Sequence, residues 1–318
     1  MSGYVVGIDA GGSGTTVVIS TREGQTVAQG RGGPANILVV GEDGTREALK
    51  SALDAALASV QDGPNMREKV VAIAAGIAGA HVSADVERLN RLLEALLPGK
   101  AIKKVYTDGE IALAGATAGH EGIVVVAGTG SIALGRSRDG RILRCGGWGY
   151  LIGDEGSAYV IARRGLQEAA HAFDGQVATS TLVDAFVTAF GVPDFDSIVP
   201  ILYGPPVLPR NRIAAFAPVV TKCAMEGDAS AQSVLTEAGE ALAGLVLTLA
   251  GRLDLYETPF RIACSGGVWQ AGELLLHPFC ERVWGMCPRA TVGPPLLSPA
   301  EGAALLALRV LDSEATAR

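Results

Sequence analysis

The chain begins with three short apolar runs separated by glycine-containing turns. The runs are YVVGI (4–8), TTVVIS (15–20) and TVAQGR (26–31). Their length and spacing predict a three-stranded antiparallel meander. Alanine and leucine then recur every three or four positions over residues 43–60, which predicts an amphipathic helix.

Strands and helices alternate after this first helix. The apolar run VVAIAAGIAG (70–79) predicts a buried strand, and the leucines between Val86 and Leu96 predict a helix. A strand KKVYTD (103–108) and a helix GEIALAGATAG (109–119) follow. The predicted order is β-β-β-α-β-α-β-α, and such alternation is typical of an α/β fold.

The same order restarts near residue 122. The segment 122–147, GIVVVAGTGSIALGRSRDGRILRCGG, again predicts three strands around glycine-rich turns, and a long helix is predicted from Glu155 to Phe173. Further helices are predicted at 181–190, 212–226, 229–253 and 274–280, with a strand at 260–269 and an extended stretch at 290–299. This repeated order predicts an internal duplication, with two similar lobes and a cleft between them.

Composition narrows the class of protein. Hydrophobic residues make up 48% of the 318 positions and charged residues 19%, which predicts a folded core rather than disorder. The formal net charge of -7 argues against a general affinity for nucleic acid or for an anionic membrane. It leaves room for a local anion site built from backbone N–H groups.

Cysteine usage and hydropathy predict a cytoplasmic protein. The five cysteines form no CxxC pair, and their odd number favours reduced thiols. No leader-like segment opens the chain, and the longest apolar helical run (241–251) is too short to span a bilayer and stops at Arg252.

The first glycine turn, DAGGSGTT (9–16), has two interpretations. It lacks the lysine of a Walker loop and the G-x-G-x-x-G pattern, so what remains is a strand–turn–strand cradle for phosphate, in which glycine permits positive φ and close approach. The candidate phosphate contacts are Gly11, Gly12, Ser13, Gly14 and Thr15. Asp9, at the end of the strand, is a candidate for holding Mg²⁺ through water. The alternative is a plain hairpin with an aspartate-initiated turn.

Two more glycine turns occur in the second half. The turn at 124–134 repeats the first arrangement, and its candidate phosphate contacts are Gly128, Thr129, Gly130 and Ser131. Two such hairpins, facing each other, would hold a triphosphate from both sides. The third turn, CSGGVW (264–269), follows a buried strand, and Gly266 and Gly267 carry no side chain to obstruct a nucleoside.

Asp108 lies where a strand ends and a helix begins. The structural interpretation is an ordinary N-cap. The functional one is a general base that accepts the proton of a substrate hydroxyl as it attacks a γ-phosphate. The two roles do not exclude one another.

A possible sugar site follows the second turn, in residues 145–166. Gly147, Trp148 and Gly149 expose backbone beside an aromatic ring, and Asp154 or Glu155 would accept hydrogen bonds from sugar hydroxyls. The alternative is a core tryptophan with helix-capping carboxylates. Similarly, Asn36 is either a turn residue or a sugar contact.

Four of these segments together resemble the N-acetylglucosamine kinases. The segments are DAGGSGTT (9–16), AGTGS (127–131), GGWGYLIGDEGSAY (146–159) and SGGVW (265–269). These kinases belong to the superfamily of sugar kinases, heat-shock proteins and actin, in the group that also contains the benzoyl-CoA reductase activator-type ATPases. The resemblance runs from about residue 4 to about residue 310.

The resemblance implies an ATP- and Mg²⁺-dependent enzyme that phosphorylates the 6-hydroxyl of N-acetyl-D-glucosamine. It implies that Asp108 is the base, and that the sugar is contacted by Asn36, Gly147, Trp148, Gly149 and Asp154. Ser13 and Thr129 match ATP-phosphate contacts, and Gly266 and Gly267 match the adenosine turn. Proteins that resemble this chain are commonly homodimers.

The resemblance also implies two ribonuclease-H-like, actin-like ATPase lobes with an interlobe cleft. The expected lobes are residues 1–118 and 119–297, with a last helix at 298–318 that packs back on the first lobe. That helix opens with a capping box formed by Ser298 and Glu301.

Alternative functions share the fold. A glucosamine kinase or a broad-specificity hexokinase keeps the chemistry and changes the sugar. An ATP-driven activator without a sugar substrate would need paired cysteines for an iron–sulfur cluster, and no second cysteine is suitably placed near Cys145. The zinc site of the ROK-type sugar kinases has no counterpart in the cysteine spacing. A catalytically silent sugar sensor would not need Asp108.

Overall fold

A computed structural model describes residues 3–60, 63–79, 83–97 and 99–316. The described residues form two compact units: those up to His120 together with those from Pro295 onwards, and Glu121–Pro294. The expected lobe 1–118 and helix 298–318 include residues 1, 2, 317 and 318, which lie outside the described residues.

The first unit is built on a five-stranded mixed sheet with the strand order β3-β2-β1-β4-β5. The strands are β1 (Tyr4–Ala10), β2 (Thr15–Thr21), β3 (Thr26–Gly32), β4 (Val70–Ile77) and β5 (Ile102–Tyr106). The first three pair antiparallel, which confirms the predicted meander, while β4 and β5 run parallel to β1. The parallel strands are joined by helices, as their geometry requires.

Helices cover both faces of this sheet. They are α1 (Ile37–Ala58), α2 (Gly63–Glu68), α3 (Ser83–Leu96), α4 (Asp108–Ala116) and α12 (Pro299–Thr316). α1 and α3 enclose one apolar cluster, and α4 and α12 enclose another. The predicted capping box opens α12, because Ser298 N–H donates to Glu301 Oε2 at 2.8 Å and Glu301 N–H donates to Ser298 Oγ at 3.3 Å.

Helix α1 starts earlier than its apolar period predicts. Asn36 caps an extra first turn, which is followed by a break at Gly41, where φ is +69°. The apolar period begins only after that break, so it predicts the second part of α1 alone.

The second unit repeats the sheet of the first. Its strands are β6 (Gly122–Ala127), β7 (Ser131–Arg136), β8 (Ile142–Gly146), β9 (Phe260–Ser265) and β10 (Ala290–Gly293). The order is β10-β9-β6-β7-β8, in which β6, β7 and β8 pair antiparallel and β9 and β10 run parallel to β6. The two sheets share one topology, which is what the predicted duplication requires.

Helices supply most of the second unit's mass. They are α5 (Ala158–Phe173), α6 (Leu182–Phe190), α7 (Ile198–Tyr203), α8 (Arg210–Ala214), α9 (Ala217–Met225), α10 (Ala229–Arg252) and α11 (Glu273–Met286), with a short 3₁₀ helix at Gly267–Ala271. The single helix predicted at 212–226 is two helices. Pro218, in the first turn of α9, has no N–H to continue an α-helical ladder from α8.

Helix α10 is a core helix of the second unit. By length and composition alone it would also cross a membrane, but half of its most apolar stretch is buried inside the unit. It packs against α5, α9 and α11, and Leu242, Val246 and Leu249 on it are fully buried. Its apolar character is therefore accounted for by the core, as predicted.

Close helix–sheet contact in the first unit depends on glycine. A Cβ atom on Gly7, in the middle of β1, would lie 2.1 Å from the carbonyl oxygen of Ala300 and 2.4 Å from the nitrogen of Ala304 on α12. Both neighbours are backbone atoms, so relief would require the helix to move away from the strand. Any side chain at position 7 thus opposes the docking of α12.

The substitution Gly7→Ala is expected to lower the free energy of unfolding by about 1–3 kcal/mol, because overpacking at a tight contact costs this much. Urea titration followed by circular dichroism measures the loss. The matched control is Gly285→Ala, on α11, where the added Cβ meets nothing within 4 Å and φ is ordinary. That control is expected to preserve or raise stability, since alanine is the better helix former. Equal stability of both variants would contradict the docking argument.

Candidate functional site

The first glycine turn is fixed at both ends and open in the middle. Gly11 N–H donates to the oxygen of Gly14 at 2.9 Å, and Thr15 Oγ1 donates to the oxygen of Gly33 at 2.8 Å. Gly12 and Ser13, between these anchors, are exposed. The turn therefore presents unobstructed backbone and one hydroxyl to solvent.

The reason for glycine in this turn differs from the predicted one. Gly11, Gly12 and Gly14 were expected to permit a positive φ, but all three have φ outside the left-handed region, so that expectation is wrong. A Cβ on Gly12 would meet nothing within 4 Å. The fold does not require glycine there, whereas close approach of a ligand to the backbone would.

Asp9 and Asp108 approach each other at one edge of the first sheet. Asp9 is in register with Gly76 of β4, which is in register with Tyr106 of β5, so the carboxyl ends of these parallel strands coincide. Asp108 follows β5 by two residues. Burial raises the pKa of Asp9 above its ordinary value, and repulsion from the Asp108 carboxylate raises it further.

This arrangement has a consequence for stability. Because the pKa of Asp9 is higher in the folded protein than in the unfolded chain, its ionised carboxylate opposes folding at neutral pH. The penalty is absent below the unfolded pKa and grows as pH rises through the folded pKa. A cation near Asp9 would offset it.

The carboxylate oxygens of Asp9 suit Mg²⁺, but the described part of the chain supplies few further ligands beside them. No cluster of three or more histidine, cysteine, aspartate or glutamate side chains that could hold a metal ion occurs among the described residues. Asp9 fits an ion that keeps several waters and takes further ligands from a bound phosphate, which is the usual coordination of Mg²⁺.

Asp108 is not the helix cap, which corrects the structural interpretation. Thr107 caps α4: its Oγ1 accepts from Glu110 N–H at 3.2 Å, and Glu110 Oε2 accepts from Thr107 N–H at 2.8 Å. Asp108 is exposed, and among the described residues it accepts only from the adjacent Gly109 N–H, at 2.9 Å. Its carboxylate is thus held at the first turn of the helix yet open to a substrate hydroxyl.

Asn36 also lies in the first unit and caps α1. Its Oδ1 accepts from Leu38 N–H at 3.0 Å. A Cβ on Gly79, just beyond β4, would lie 3.1 Å from the same oxygen, so Asn36 is next to the loop that leaves β4. Among the described residues its amide N–H₂ group has no hydrogen-bond partner, and it remains able to donate to a ligand.

The second glycine turn is held by a buried carboxylate. Gly128 N–H donates to the oxygen of Gly130 at 2.9 Å, two residues on, whereas the corresponding bond of the first turn reaches three residues, from Gly11 to Gly14. Asp154 is 3% exposed and its Oδ1 accepts from Ser131 N–H at 3.2 Å. Arg210 Nη1 lies 3.3 Å from Asp154 Oδ2, which accepts no hydrogen bond among the described residues.

The capping role considered for Asp154 and Glu155 is wrong. Ser157 caps α5, since its Oγ accepts from Val160 N–H at 3.3 Å. Asp154 instead lies against the turn, and its carboxylate would be 2.8 Å from a Cβ on Gly130. Glycine at position 130 is what allows this contact.

Trp148 is not a core residue, contrary to the structural alternative. It is 63% exposed, and the Arg144 guanidinium lies 4.3 Å from its ring centroid. Gly147 and Gly149 on either side both have positive φ, which presents the ring on a sharply turned loop. An exposed aromatic face beside bare backbone suits the flat face of a sugar ring.

A cavity of about 460 Å³ within the second unit joins the second and third glycine turns. Gly128 and Thr129 line it from one turn and Gly267 from the other, and a Cβ on Gly128 or Gly267 would meet nothing within 4 Å. By contrast, Gly266 has φ of +104° and would place a Cβ 2.3 Å from the oxygen of Ala127. Gly266 shapes the fold, and Gly267 leaves the cavity open.

Sequence reasoning missed the opposite wall of this cavity. It includes Pro218, Thr221, Lys222 and Met225 of α9. These residues lie in an ordinary amphipathic helix far from any glycine turn, and the sequence holds no signal that distinguishes them.

Comparisons with known proteins show the family of the chain. The family model for the BadF/BadG/BcrA/BcrD ATPase family matches residues 6–307. The N-acetylmuramic acid/N-acetylglucosamine kinase of Clostridium acetobutylicum is 32% identical over 83% of this chain and 85% of that protein. The N-acetyl-D-glucosamine kinase of Dictyostelium discoideum is 28% identical over 95% and 97%. The glucosamine kinase of Vibrio cholerae is 30% identical over 74% and 76%.

Solved structures show the same fold. A structure assigned to an N-acetylglucosamine kinase of Chromobacterium violaceum has a TM-score of 0.69 and 29% identity, covering 96% of this chain and 98% of that one. A ROK family glucokinase from Streptomyces griseus, solved with glucose and AMPPNP, has a TM-score of 0.53 and 18% identity, covering 96% and 98%. The two-lobed α/β architecture expected from the sequence is confirmed.

The substitution Asp108→Asn is expected to lower the pKa of Asp9 while leaving it above the ordinary value, because burial is the larger cause of the rise. Carboxyl ¹³C NMR over a pH titration measures this directly. Asp43→Asn, which removes a 91% exposed carboxylate of the same unit, is the control and is expected to leave the Asp9 pKa unchanged. An unaltered Asp9 pKa in Asp108→Asn would show that the two carboxylates do not interact.

Proposed function

The chain belongs to the BadF/BadG/BcrA/BcrD ATPase family, and we propose that it is an ATP-dependent kinase that phosphorylates the 6-hydroxyl of N-acetyl-D-glucosamine. Relatives named for that activity match most of the chain, which supports this substrate. A glucosamine kinase is the second candidate, supported by the Vibrio cholerae relative.

The proposal depends on one observation: the carboxylate of Asp108 is exposed and does not cap helix α4. In the proposed reaction it accepts the proton of the sugar hydroxyl as the oxygen of that hydroxyl forms a bond to the γ-phosphorus. The bond from the γ-phosphorus to the bridging oxygen breaks, and ADP leaves with that electron pair. Because the transition state is loose, the base mainly orients the hydroxyl.

The first unit would also supply contacts for phosphate and metal. We assign the backbone of Gly12 and Gly14 and the hydroxyl of Ser13 to phosphate oxygens. The Gly11 N–H and the Thr15 hydroxyl are already bonded within the turn and hold it in shape. Asp9 would hold Mg²⁺ through water. When bound, that ion neutralises charge on the transferring phosphoryl group.

The second unit would supply the nucleotide cavity. We assign the adenosine to the cavity beside Gly266 and Gly267. The walls of that cavity include the apolar side chains of Pro218 and Met225 on α9. Phosphate contacts would come from the open part of the second turn, through Thr129 and Gly130 and through close approach to the bare backbone of Gly128. The Ser131 N–H donates to Asp154 and the Ser131 hydroxyl donates to the oxygen of Glu155, so Ser131 holds the turn in shape.

The proposed sugar contacts are the amide of Asn36, the backbone of Gly147 and Gly149, the ring of Trp148 and the carboxylate of Asp154. The Asn36 amide has no partner among the described residues, and the exposed indole of Trp148 would stack on the sugar ring. Asp154 is buried and its Oδ2 lies 3.3 Å from Arg210 Nη1 without a hydrogen bond, so in the proposed complex this oxygen would turn to a sugar hydroxyl.

We place this activity in the cytoplasm. A kinase needs ATP, and the five cysteines are free thiols, as expected in a reducing compartment. The homodimer implied by the resemblance stays a prediction.

The substitution Asp108→Asn is expected to lower kcat at least about 100-fold, which is the usual contribution of general-base catalysis. The KM values for ATP and sugar are expected to change little, because the group acts in the transition state. The assay is coupled ADP release over N-acetylglucosamine, glucosamine, N-acetylmuramic acid and glucose. Asp43→Asn is the control and keeps full activity.

Two results of that assay would contradict different parts of the proposal. If none of the sugars raises ADP release above the sugar-free rate, the chain is an ATPase without a sugar substrate. If Asp108→Asn keeps full activity with a sugar, the kinase survives and the base assignment fails.

The neighbouring glycines of the third turn provide a second test. Gly267→Val is expected to raise the KM for ATP about tenfold or more, because the added side chain fills open cavity space, while the free energy of unfolding stays close to that of the parent protein. Gly266→Val is expected to destabilise the protein strongly, since both φ and the contact with Ala127 exclude a Cβ. An unchanged KM in Gly267→Val would place the nucleotide elsewhere.

A further inference from the structure

The second unit contains another cavity, larger than the nucleotide cavity and separate from it. It has a volume of about 600 Å³, and no residue lines both cavities. We name it the arginine–tyrosine pocket, after the residues Tyr150, Tyr159, Arg163, Tyr203 and Arg210. Its volume lies in the range of small-molecule sites.

Helix α5 separates the two cavities. Tyr159, Arg163, Leu166 and Ala170 recur with a helical period and line the arginine–tyrosine pocket. Ile161, on another face of the same helix, lines the nucleotide cavity. A ligand in one cavity would therefore not occupy the other.

The charge of the pocket is unlike that of the whole chain. Its lining contains two arginines and no carboxylate, whereas the chain has a net charge of -7. Arg210 pairs with Asp154 at 3.3 Å, and Asp154 itself does not line the pocket. Arg163 has no hydrogen-bond or ion-pair partner among the described residues. Its guanidinium is therefore a positive charge that no group in the described part of the chain pairs with.

The adjacent arginine on α5, Arg164, has the ion-pair partners that Arg163 lacks within the described ranges. Arg164 lies 3.1 Å from Glu237 and 3.5 Å from Glu168, and it does not line the pocket. The contrast between two neighbouring arginines makes the unpaired state of Arg163 a feature of the pocket rather than of the helix.

The rest of the wall is apolar and aromatic. Leu166, Ile198, Leu202, Leu208 and Ile213 contribute aliphatic surface. Tyr150 and Tyr159 form an edge-to-face pair with centroids 5.2 Å apart, and Arg210 lies 5.7 Å from the centroid of the Tyr150 ring. Such a wall favours a flat apolar body, and the unpaired Arg163 guanidinium can bind an anionic substituent on it.

We propose that the arginine–tyrosine pocket binds a small organic anion with an aromatic or other flat apolar body, held at its charged end by Arg163. This site takes no part in the proposed kinase reaction, although Arg210 in its lining pairs with Asp154. It uses none of the residues assigned above to base, metal, phosphate or sugar.

The probe for the test is 1-anilinonaphthalene-8-sulfonate, an aromatic anion whose fluorescence rises in an apolar site. Titration of the full chain is expected to show one saturable site. Arg163→Gln is expected to weaken binding about tenfold, since it removes a charge-assisted contact. The matched control Arg164→Gln is expected to leave probe affinity unchanged.

A second pair of variants changes the pocket without touching α5. Val207 lines the pocket and is 66% exposed, so substitution there carries little risk to folding. Val207→Glu places a carboxylate in the lining and is expected to weaken binding about tenfold, whereas the neutral Val207→Gln keeps most of the affinity. Circular dichroism confirms that each variant is folded.

Competition distinguishes this site from the others. Saturating MgATP and N-acetylglucosamine are expected to leave the bound probe in place. Displacement by either would overturn the proposal, because the probe would then occupy the nucleotide or sugar site. Equal probe affinity in Arg163→Gln and Arg164→Gln, or in Val207→Glu and Val207→Gln, would also overturn it. A failure of the kinase assay alone would leave it standing.

Discussion

In each unit, an antiparallel strand pair and its parallel neighbours end at the same edge of one sheet, and the candidate chemistry depends on this constraint. The carboxyl end of β1 is followed by the glycine turn, and the carboxyl ends of β4 and β5 coincide with it in register. Asp9 and Asp108 are distant in sequence, and the register of the strands alone therefore brings them close together. Burial is the larger cause of the rise in the pKa of Asp9, and repulsion from the nearby Asp108 carboxylate adds to it.

The same constraint occurs twice, but the two units use it differently. Ala10 pairs with Thr15 at the end of the first hairpin, and Ala127 pairs with Ser131 at the end of the second. One residue before each pair, the first unit has Asp9 and the second has Val126. The second unit thus lacks the strand-end carboxylate and instead has the buried Asp154, which arrives from the loop before α5 and orders its turn. The candidate base and the candidate metal-binding carboxylate lie in one copy, and the proposed nucleotide cavity lies in the other.

The sequence predicted those parts of the fold that depend on local periodicity. The meander, the repeated strand order and the capping box of α12 follow from apolar spacing and from residues within one turn of helix. What it could not predict depends on competition between neighbours. Thr107 and Asp108 both suit a cap, and only Glu110, placed to complete the capping box, decides in favour of Thr107. Similarly, Ser157 caps α5, while Asp154 accepts from the Ser131 N–H of the second turn instead. The sequence did not predict that α9 forms a wall of the proposed nucleotide cavity, because tertiary packing rather than sequence spacing brings this helix close to the glycine turns.

The glycines give the clearest evidence about ligands when those that the fold requires are separated from those that it does not. Gly7 and Gly266 are required by the fold, because a Cβ on either would collide with backbone. Gly12, Gly128 and Gly267 have ordinary φ and open space beside them, so packing and backbone geometry would accept alanine. A glycine that is not needed costs conformational entropy on folding. Its presence in all three turns therefore calls for another cause, and close approach of a ligand to the main chain is the one these turns share.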